Sequence, residues 1–253
     1  MSTHTDSPIP KRAAEKSSQQ RPWQNKQWRY AALNSDCLYH GANRYGIPDL
    51  LRAEIDQLPE WLAPFTKRLR TKEMANHWVH FFLDDYQFEV AWRQPGRVAQ
   101  ALKKRNRPVL TPDFSIYEDW PLALQLWNTY RSRWCGAFWQ QSGLTVIPTV
   151  CWGTYLSFDF CFLGIPKGSI VAISAQGAGV KQLLEEQFFL EGFYEMVRRL
   201  DPSVVLAYGK LPAGCYDVAE IVEYPTDWQT TRKLLADKAD IVQRQKQIAA
   251  ADR

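Results

Sequence analysis

Three aspartates carry the side chains of this chain that are best suited to chemistry. Asp84 and Asp85 follow the apolar segment 78–83, and Asp113 lies in a second apolar segment, 108–115. Carboxylates that lie close together repel one another unless one is protonated or a cation bridges them. Asp84 and Asp113 would hold Mg²⁺ or Mn²⁺ as the bridging cation, since these ions prefer oxygen ligands. A carboxyl group with a raised pKa would instead act as a general base.

The same residues also have an ordinary structural interpretation. Asp and Ser side chains often cap the first turn of a helix, and Asp84 and Asp85 could pair with arginine side chains. His80 stands alone in the apolar segment 78–83, which favours a buried core histidine over a metal ligand. Two interpretations of Asp84, Asp85 and Asp113 therefore stay open, a catalytic site and a set of structural caps and ion pairs.

Other polar and aromatic residues follow the predicted strands or lie on the helix between two of them. We take eight of them as candidates for substrate binding: Tyr86, Ser115, Tyr117, Arg131, Arg133, Gln140, Trp152 and Ser174. The glycine-containing segment 176–181 could cradle a phosphate, because glycines before a helix leave backbone N–H groups free. That segment matches neither of the standard glycine-rich phosphate motifs, so a simple turn is the alternative.

The order of the predicted elements is typical of an α/β protein. Six apolar segments predict strands, at residues 78–83, 108–115, 144–151, 169–174, 203–208 and 219–224. Four segments predict helices, at residues 48–72, 95–105, 120–142 and 181–200. This alternation implies a mainly parallel sheet with flanking helices, either an incomplete (β/α) barrel or an open doubly wound sheet, and we favour the barrel-like form. Both forms bind ligands at the carboxyl ends of their strands, where the aspartates lie.

The chain divides into a tail, one domain and a final helix. Residues 1–25 are polar and basic and are predicted to be disordered. Residues 26–225 are predicted to form a single α/β domain. A helix is predicted over residues 226–253, where Thr226 and Gln229 have the spacing of a capping box. Its narrow apolar stripe could pair two copies of the chain.

Charge, cysteine content and hydropathy limit the class of protein. The formal net charge is +4, and residues 1–30 account for it with six basic and two acidic side chains. The five cysteines include no C-x-x-C pair, which indicates reduced thiols in a cytoplasmic location. The sequence has no apolar run long enough to span a membrane and no apolar leader typical of secretion.

A series of short blocks resembles the family known as domain of unknown function 4417. The blocks read HFFLDDYQFEVAW, VLTPDFSIYEDWP, QLWNTYRSRW, GAFWQ, GLTVIPTVCW, FDFCFLGIPKGS and VAISAQG, within residues 40–210. The family is met in phages and other mobile elements as well as in bacterial chromosomes. The resemblance therefore implies a mobile-element setting and no particular reaction. Its blocks add Lys167 to the candidates for substrate binding.

These observations predict a mobile-element protein that acts on a nucleotide or nucleic acid. The reaction would be metal-assisted hydrolysis at the carboxylate cluster, with Arg131 or Lys167 in contact with a phosphate. The alternative is a protein without catalytic activity that interacts with a host protein or binds nucleic acid. In the latter case its aromatic side chains would stack on bases and its basic tail would hold phosphates. The sequence alone leaves open whether the protein is an enzyme.

Overall fold

Seven short parallel strands form the framework of the part of the chain that the structure describes. The computed structural model describes residues 31–65, 76–104, 108–175 and 183–232. The strands are β1 (Trp61–Pro64), β2 (His77–His80), β3 (Val109–Leu110), β4 (Val146–Ile147), β5 (Ile170–Ser174), β6 (Val204–Tyr208) and β7 (Ile221–Tyr224). Strands β1 to β4 form one sheet and β5 to β7 another, and an isolated parallel bridge between Thr149 and Ala172 joins them. All pairings are parallel, which confirms the predicted fold class.

The described strands lie side by side in the order in which they occur in the sequence, and this order never reverses. A doubly wound sheet has a point at which the order reverses, whereas a (β/α) barrel does not. The described α-helices lie between β2 and β3, between β3 and β4, and between β5 and β6. They are α1 (Asp85–Phe88), α2 (Val90–Arg93), α3 (Pro95–Lys103), α4 (Leu122–Gln141) and α5 (Leu183–Leu200). Short 3-10 helices occupy Ala31–Leu33, Tyr155–Asp159 and Ala213–Cys215.

The sheet curls so that residues of distant strands touch. The ring of His80 at the end of β2 lies 4.4 Å from that of Tyr208 at the end of β6, and Phe82 lies 5.2 Å from the same ring. Four strand spacings separate β2 from β6, which would be about 19 Å in a flat sheet. The described residues record no strand pairing between β7 and β1, where the Tyr224 hydroxyl donates to the Pro59 carbonyl at 2.8 Å. The sheet is therefore an incomplete barrel.

Alternation along the strands divides the core into an inner and an outer part. The inner part holds at least one side chain from every described strand, including Leu62, Trp78, Leu110, Ile147, Ala172, Leu206 and Tyr224. On the outside, Val79, Val109 and Val146 pack with residues of α1 to α4, and Val171 and Val205 pack with residues of α5. Each fully buried large side chain contributes about 1.5–3 kcal/mol relative to an exposed one.

The prediction of a helix over residues 48–72 is wrong for residues 48–65. This stretch is irregular up to β1, which pairs in parallel with β2. Pro59 and Pro64 lack the backbone N–H that a helix interior needs, and Leu62 and Ala63 are buried in the sheet. Residues 66–75 lie outside the described residues.

Two predicted features at the ends of the chain fall largely outside the described residues. These are the disordered tail, 1–25, and the part of the last helix beyond residue 232. The start of that helix is described, and its capping box is confirmed. The Thr226 N–H donates to Gln229 Oε1 at 2.8 Å, and the Gln229 N–H donates to Thr226 Oγ1 at 3.2 Å. Across the described ranges, no helix is both long enough and apolar enough to cross a membrane.

Candidate functional site

A cleft of about 680 Å³ opens at the carboxyl ends of the strands. Segments that follow β2, β3 and β4 line it, together with the last two residues of β5 and the first turns of α5. Six of the residues singled out in the sequence meet there: Asp84, Asp113, Ser115, Tyr117, Trp152 and Ser174. Two of the three aspartates, Asp84 and Asp113, therefore lie in one cleft, as their positions after predicted strands indicated.

Asp113 is the most unusual group in the cleft. Its Oδ1 atom is closed off from solvent and has no hydrogen-bond partner in the described part of the chain, although the residue lines the cleft. Burial raises the pKa of the carboxyl group to about 7, and the negative charge of Asp85 adds to this rise. A hydrogen bond with the Cys151 thiol and the charge of Arg133 lower the same pKa without offsetting the burial. Both protonation states of Asp113 are therefore populated near neutral pH.

Helix α4 fixes the segment that carries Asp113. Phe114 is buried beneath the guanidinium of Arg131, whose Cζ lies 3.8 Å from the ring centroid, and it packs on Phe88 at 5.2 Å. The side-chain amide of Asn128 donates to the Ser115 carbonyl at 2.7 Å. Anchored in this way, Phe114 faces the core while Asp113 and Ser115 face the cleft.

Asp85 has a different role from its neighbour Asp84. Both of its carboxylate oxygens accept hydrogen bonds from the Ser115 N–H at 3.2 Å, and Oδ1 also accepts from the Ser115 hydroxyl at 2.9 Å. Burial raises the pKa of Asp85, while the bonds from Ser115 and the charge of Arg131 oppose that rise. Asp85 does not line the cleft, and it ties the end of β2 to the segment after β3.

The two arginines of α4 are held by partners within the protein. Arg131 is paired with Glu89 at 2.9 Å and donates to Asn128 Oδ1 at 2.6 Å. Arg133 donates to three main-chain carbonyls, those of Leu163, Thr149 and Cys161, at 3.0–3.1 Å. Burial lowers the pKa of Arg133 to about 10, so its guanidinium remains charged at neutral pH. Neither side chain lines the cleft.

Three other candidates lie away from the lining. Gln140 bonds the main chain of Leu51 through both amide atoms, at 2.9 and 2.7 Å. Lys167 is exposed on the loop before β5, at the amino ends of the strands and thus opposite the cleft. Tyr86 is 78% exposed on α1 and is not part of the lining. Their predicted contacts with substrate stay predictions.

Asp84 and Asp113, the two carboxylates predicted to hold a divalent metal ion, both line the cleft, and one or two carboxylates with water and substrate oxygens are a common ligand set for Mg²⁺. Within the described ranges, no group of three or more His, Cys, Asp or Glu side chains could hold a metal ion. Asp85 is engaged by Ser115, and the exposed Asp84 accepts a hydrogen bond from Gln87 Nε2 at 3.1 Å. A divalent ion at Asp84 and Asp113 would take its other ligands from water and substrate, and binding of Mg²⁺ or Mn²⁺ stays a prediction.

The sequence analysis missed one wall of the cleft, which α5 provides. Glu185, Phe188 and Phe189 line it, and Phe189 packs on Trp152 with ring centroids 5.2 Å apart. Gly192 leaves room for this indole, because a Cβ atom there would lie 2.1 Å from Trp152 Nε1. Residues three apart share one face of a helix, so Glu185 and Phe188 could have been found from their spacing and their place after β5.

His80 is a buried core histidine, as predicted. It is fully buried, and its Nδ1 accepts a hydrogen bond from the Phe82 N–H at 3.1 Å. Burial lowers the pKa of His80 to about 3, so the ring is neutral and carries its proton on Nε2. It supports Phe82, which lines the cleft, through ring contact at 5.3 Å.

Comparison with known proteins assigns the chain to a family. It matches the family described as "Domain of unknown function (DUF4417)" over residues 39–225. It is 42% identical over 214 residues to the Gene 1 protein of Mycobacterium phage L5, covering 83% of this chain and 92% of that protein. It is 39% identical over 219 residues to the Gene 1 protein of Mycobacterium phage D29, covering 85% of this chain and 79% of that protein. No solved structure shows a significant match. The chain therefore belongs to the family of domain of unknown function 4417, which its sequence blocks indicated and which has members in phages.

Proposed function

We propose that this protein is an enzyme that hydrolyses a bond in a nucleotide or nucleic acid within the cleft, with Asp113 transferring the proton. The observation that supports this most is the state of the Asp113 carboxyl group. It lines the cleft, its pKa lies near 7, and its Oδ1 atom has no hydrogen-bond partner among the described residues. A general acid or base works best when its pKa is close to the working pH.

The proposed reaction uses both protonation states of Asp113. Ionised Asp113 accepts a proton from a water molecule as the water oxygen attacks the substrate. The protonated carboxyl group then donates this proton to the leaving atom as the substrate bond breaks, which restores the carboxylate. Ser115 and Asp84 would contact the substrate by hydrogen bonds and Tyr117 and Trp152 by ring contact, a role supported by their place in the cleft lining.

The family adds a setting to this proposal. The two relatives compared above are phage proteins, and phage multiplication depends on nucleotides and nucleic acid. We place the reaction in the cytoplasm of the host cell, where both occur. The setting supports the substrate class, whereas the cleft supports the proton transfer.

Turnover of nucleotides by the full-length chain tests this function. Nucleosides, nucleoside mono- and triphosphates and single-stranded oligonucleotides are incubated with the protein, and products are separated by chromatography. We expect Asp113→Asn to lower the rate about 10²–10⁴-fold, the usual contribution of a general acid or base. Asp119→Asn is the matched control, because Asp119 is exposed and outside the cleft lining.

Two outcomes contradict the proposal. One is that no substrate in the panel is turned over by the unaltered protein between pH 6 and 8. The other is that Asp113→Asn and Asp119→Asn retain equal activity. Parallel reactions with Mg²⁺, Mn²⁺ or a chelator test the metal-assisted version, together with calorimetric titration of each ion into the unaltered protein and into Asp84→Ala.

Binding without chemistry is the second candidate function. Tyr86 is 78%, Tyr117 54% and Phe188 61% exposed, and aromatic rings on a surface can stack on bases. In this case single-stranded DNA binds with an affinity that falls steeply with salt, and deletion of residues 1–30 abolishes the binding. Turnover that depends on Asp113 excludes this candidate as the whole function.

A further inference from the structure

The walls of the cleft are aromatic. Five rings line it, those of Phe82, Tyr117, Trp152, Phe188 and Phe189. Trp152 and Phe189 support each other at the back, while Tyr117 and Phe188 are more than half exposed at the opening. Aromatic side chains stack on any nucleobase, because every base has a π face. A planar ring is therefore the part of a ligand that these walls fit best.

The charges of the described cleft lining disfavour a phosphate group. Four carboxylates line it, those of Asp84, Asp113, Glu118 and Glu185, and none of the described lining residues is Lys, Arg or His. The nearby guanidinium groups, Arg131 and Arg133, are already engaged within the protein. Carboxylates repel phosphate oxygens, and they accept hydrogen bonds from N–H groups. The part of the ligand that enters should carry N–H donors.

One acceptor in the cleft has no donor. Asp113 Oδ1 is closed to solvent and receives no hydrogen bond in the described structure. An unsatisfied buried acceptor is costly, so a ligand N–H that reached it would bind with a substantial gain in affinity. The cleft therefore combines faces for stacking with an acceptor for an N–H group.

We propose that the cleft binds the nucleobase of its ligand and selects bases that carry an exocyclic amino group, which donates to Asp113. This inference rests on the proposed function, in which the ligand is a nucleotide or nucleic acid, and with the amino group at Asp113 the bond hydrolysed is the one between the base carbon and that amino group. The cleft volume of about 680 Å³ is within the usual range for small-molecule sites, about 300–1,000 Å³. The base lies between the aromatic walls, and the sugar and phosphates lie toward the opening.

Calorimetric binding of nucleoside pairs to the full-length protein tests this recognition, with a chelator present. Each pair differs by the amino group alone: adenosine with purine riboside, guanosine with inosine, and cytidine with pyrimidin-2-one riboside. We expect at least one amino nucleoside to bind about ten-fold or more tightly than its partner, since a site built to pair with an N–H group rejects the analogue that lacks it. Inorganic phosphate alone should not bind.

The same titrations with single variants test whether Asp113 causes the preference. In Asp113→Ala the two members of the preferred pair should bind within about two-fold of each other, and in Asp119→Asn the preference should persist. The binding of the two nucleosides of each pair is compared in the unaltered protein, so that result is valid even if a variant does not fold.

The outcomes separate this recognition from the proposed function. Equal binding within every pair overturns the recognition by Asp113 but leaves a nucleotide as the substrate. Failure of all nucleosides and nucleotides to bind overturns both. Binding of N-acetylarginine amide in their place would overturn both too, and would indicate a basic peptide as the partner of this acidic, aromatic cleft.

Discussion

The stability of Asp113→Asn should exceed that of the unaltered protein increasingly as the pH rises. Burial raises the pKa of this carboxyl group from 3.8 to about 7, so between these values the folded chain keeps a proton that the unfolded chain has lost. The stability conferred by the protonated group is fully present below pH 3.8 and is lost as the pH rises through about 7. At about 1.36 kcal/mol per pKa unit, the loss is at most about 4 kcal/mol above pH 7. Asparagine stays neutral, so the Asp113→Asn variant does not lose this stability as the pH rises.

Urea unfolding, followed by tryptophan fluorescence at pH values from 4 to 8, measures this difference. The free energy of unfolding of Asp113→Asn minus that of the unaltered protein should grow by a few kcal/mol over this range, with most of the change below pH 7. Asp119→Asn serves as the control, because Asp119 is exposed to solvent. A difference that is constant with pH, or that shrinks toward pH 8, would refute the burial argument.

Three further predictions concern the contacts that shape the cleft. Glu89→Gln should lower the free energy of unfolding by about 3 kcal/mol in urea titrations, because it leaves the buried guanidinium of Arg131 without its carboxylate. Gly192→Ala should displace the indole of Trp152, which would change the near-ultraviolet circular dichroism and weaken nucleoside binding; an unchanged spectrum contradicts this. Thr226→Ala should cost about 1 kcal/mol of stability through loss of the helix cap, and a loss below the error of urea titration would count against that cap.

Much of the framework could be predicted from hydrophobic patterns. Buried strands give continuous apolar segments, as in β5 and β6. A long buried helix gives apolar residues at helical spacing, as in α4. The rule that parallel strands present their carboxyl ends at one edge then placed Asp84 and Asp113 in one cleft. Strand β1 was missed because it is short and ends in proline, and its burial depends on pairing with β2. Pairing between segments leaves little trace in a local pattern.

The roles of individual polar side chains were less accessible to sequence reasoning. Asp84 and Asp85 are adjacent, yet one faces the cleft and the other bonds to Ser115. Arg131 was predicted to contact a phosphate and Arg133 to bind substrate, and the structure engages them with Glu89 and with main-chain carbonyls, respectively. Such outcomes depend on the direction of each side chain in the folded chain, which residue type and spacing do not determine.

The central claim is that the fold holds the Asp113 carboxyl group in a partly protonated state at the mouth of the barrel. The most direct measurement is the ¹³C chemical shift of the Asp113 carboxyl carbon as a function of pH, with the resonance assigned by its absence in Asp113→Asn. The account predicts a titration midpoint near pH 7. A midpoint near pH 4, the value of an ordinary exposed aspartate, would contradict it.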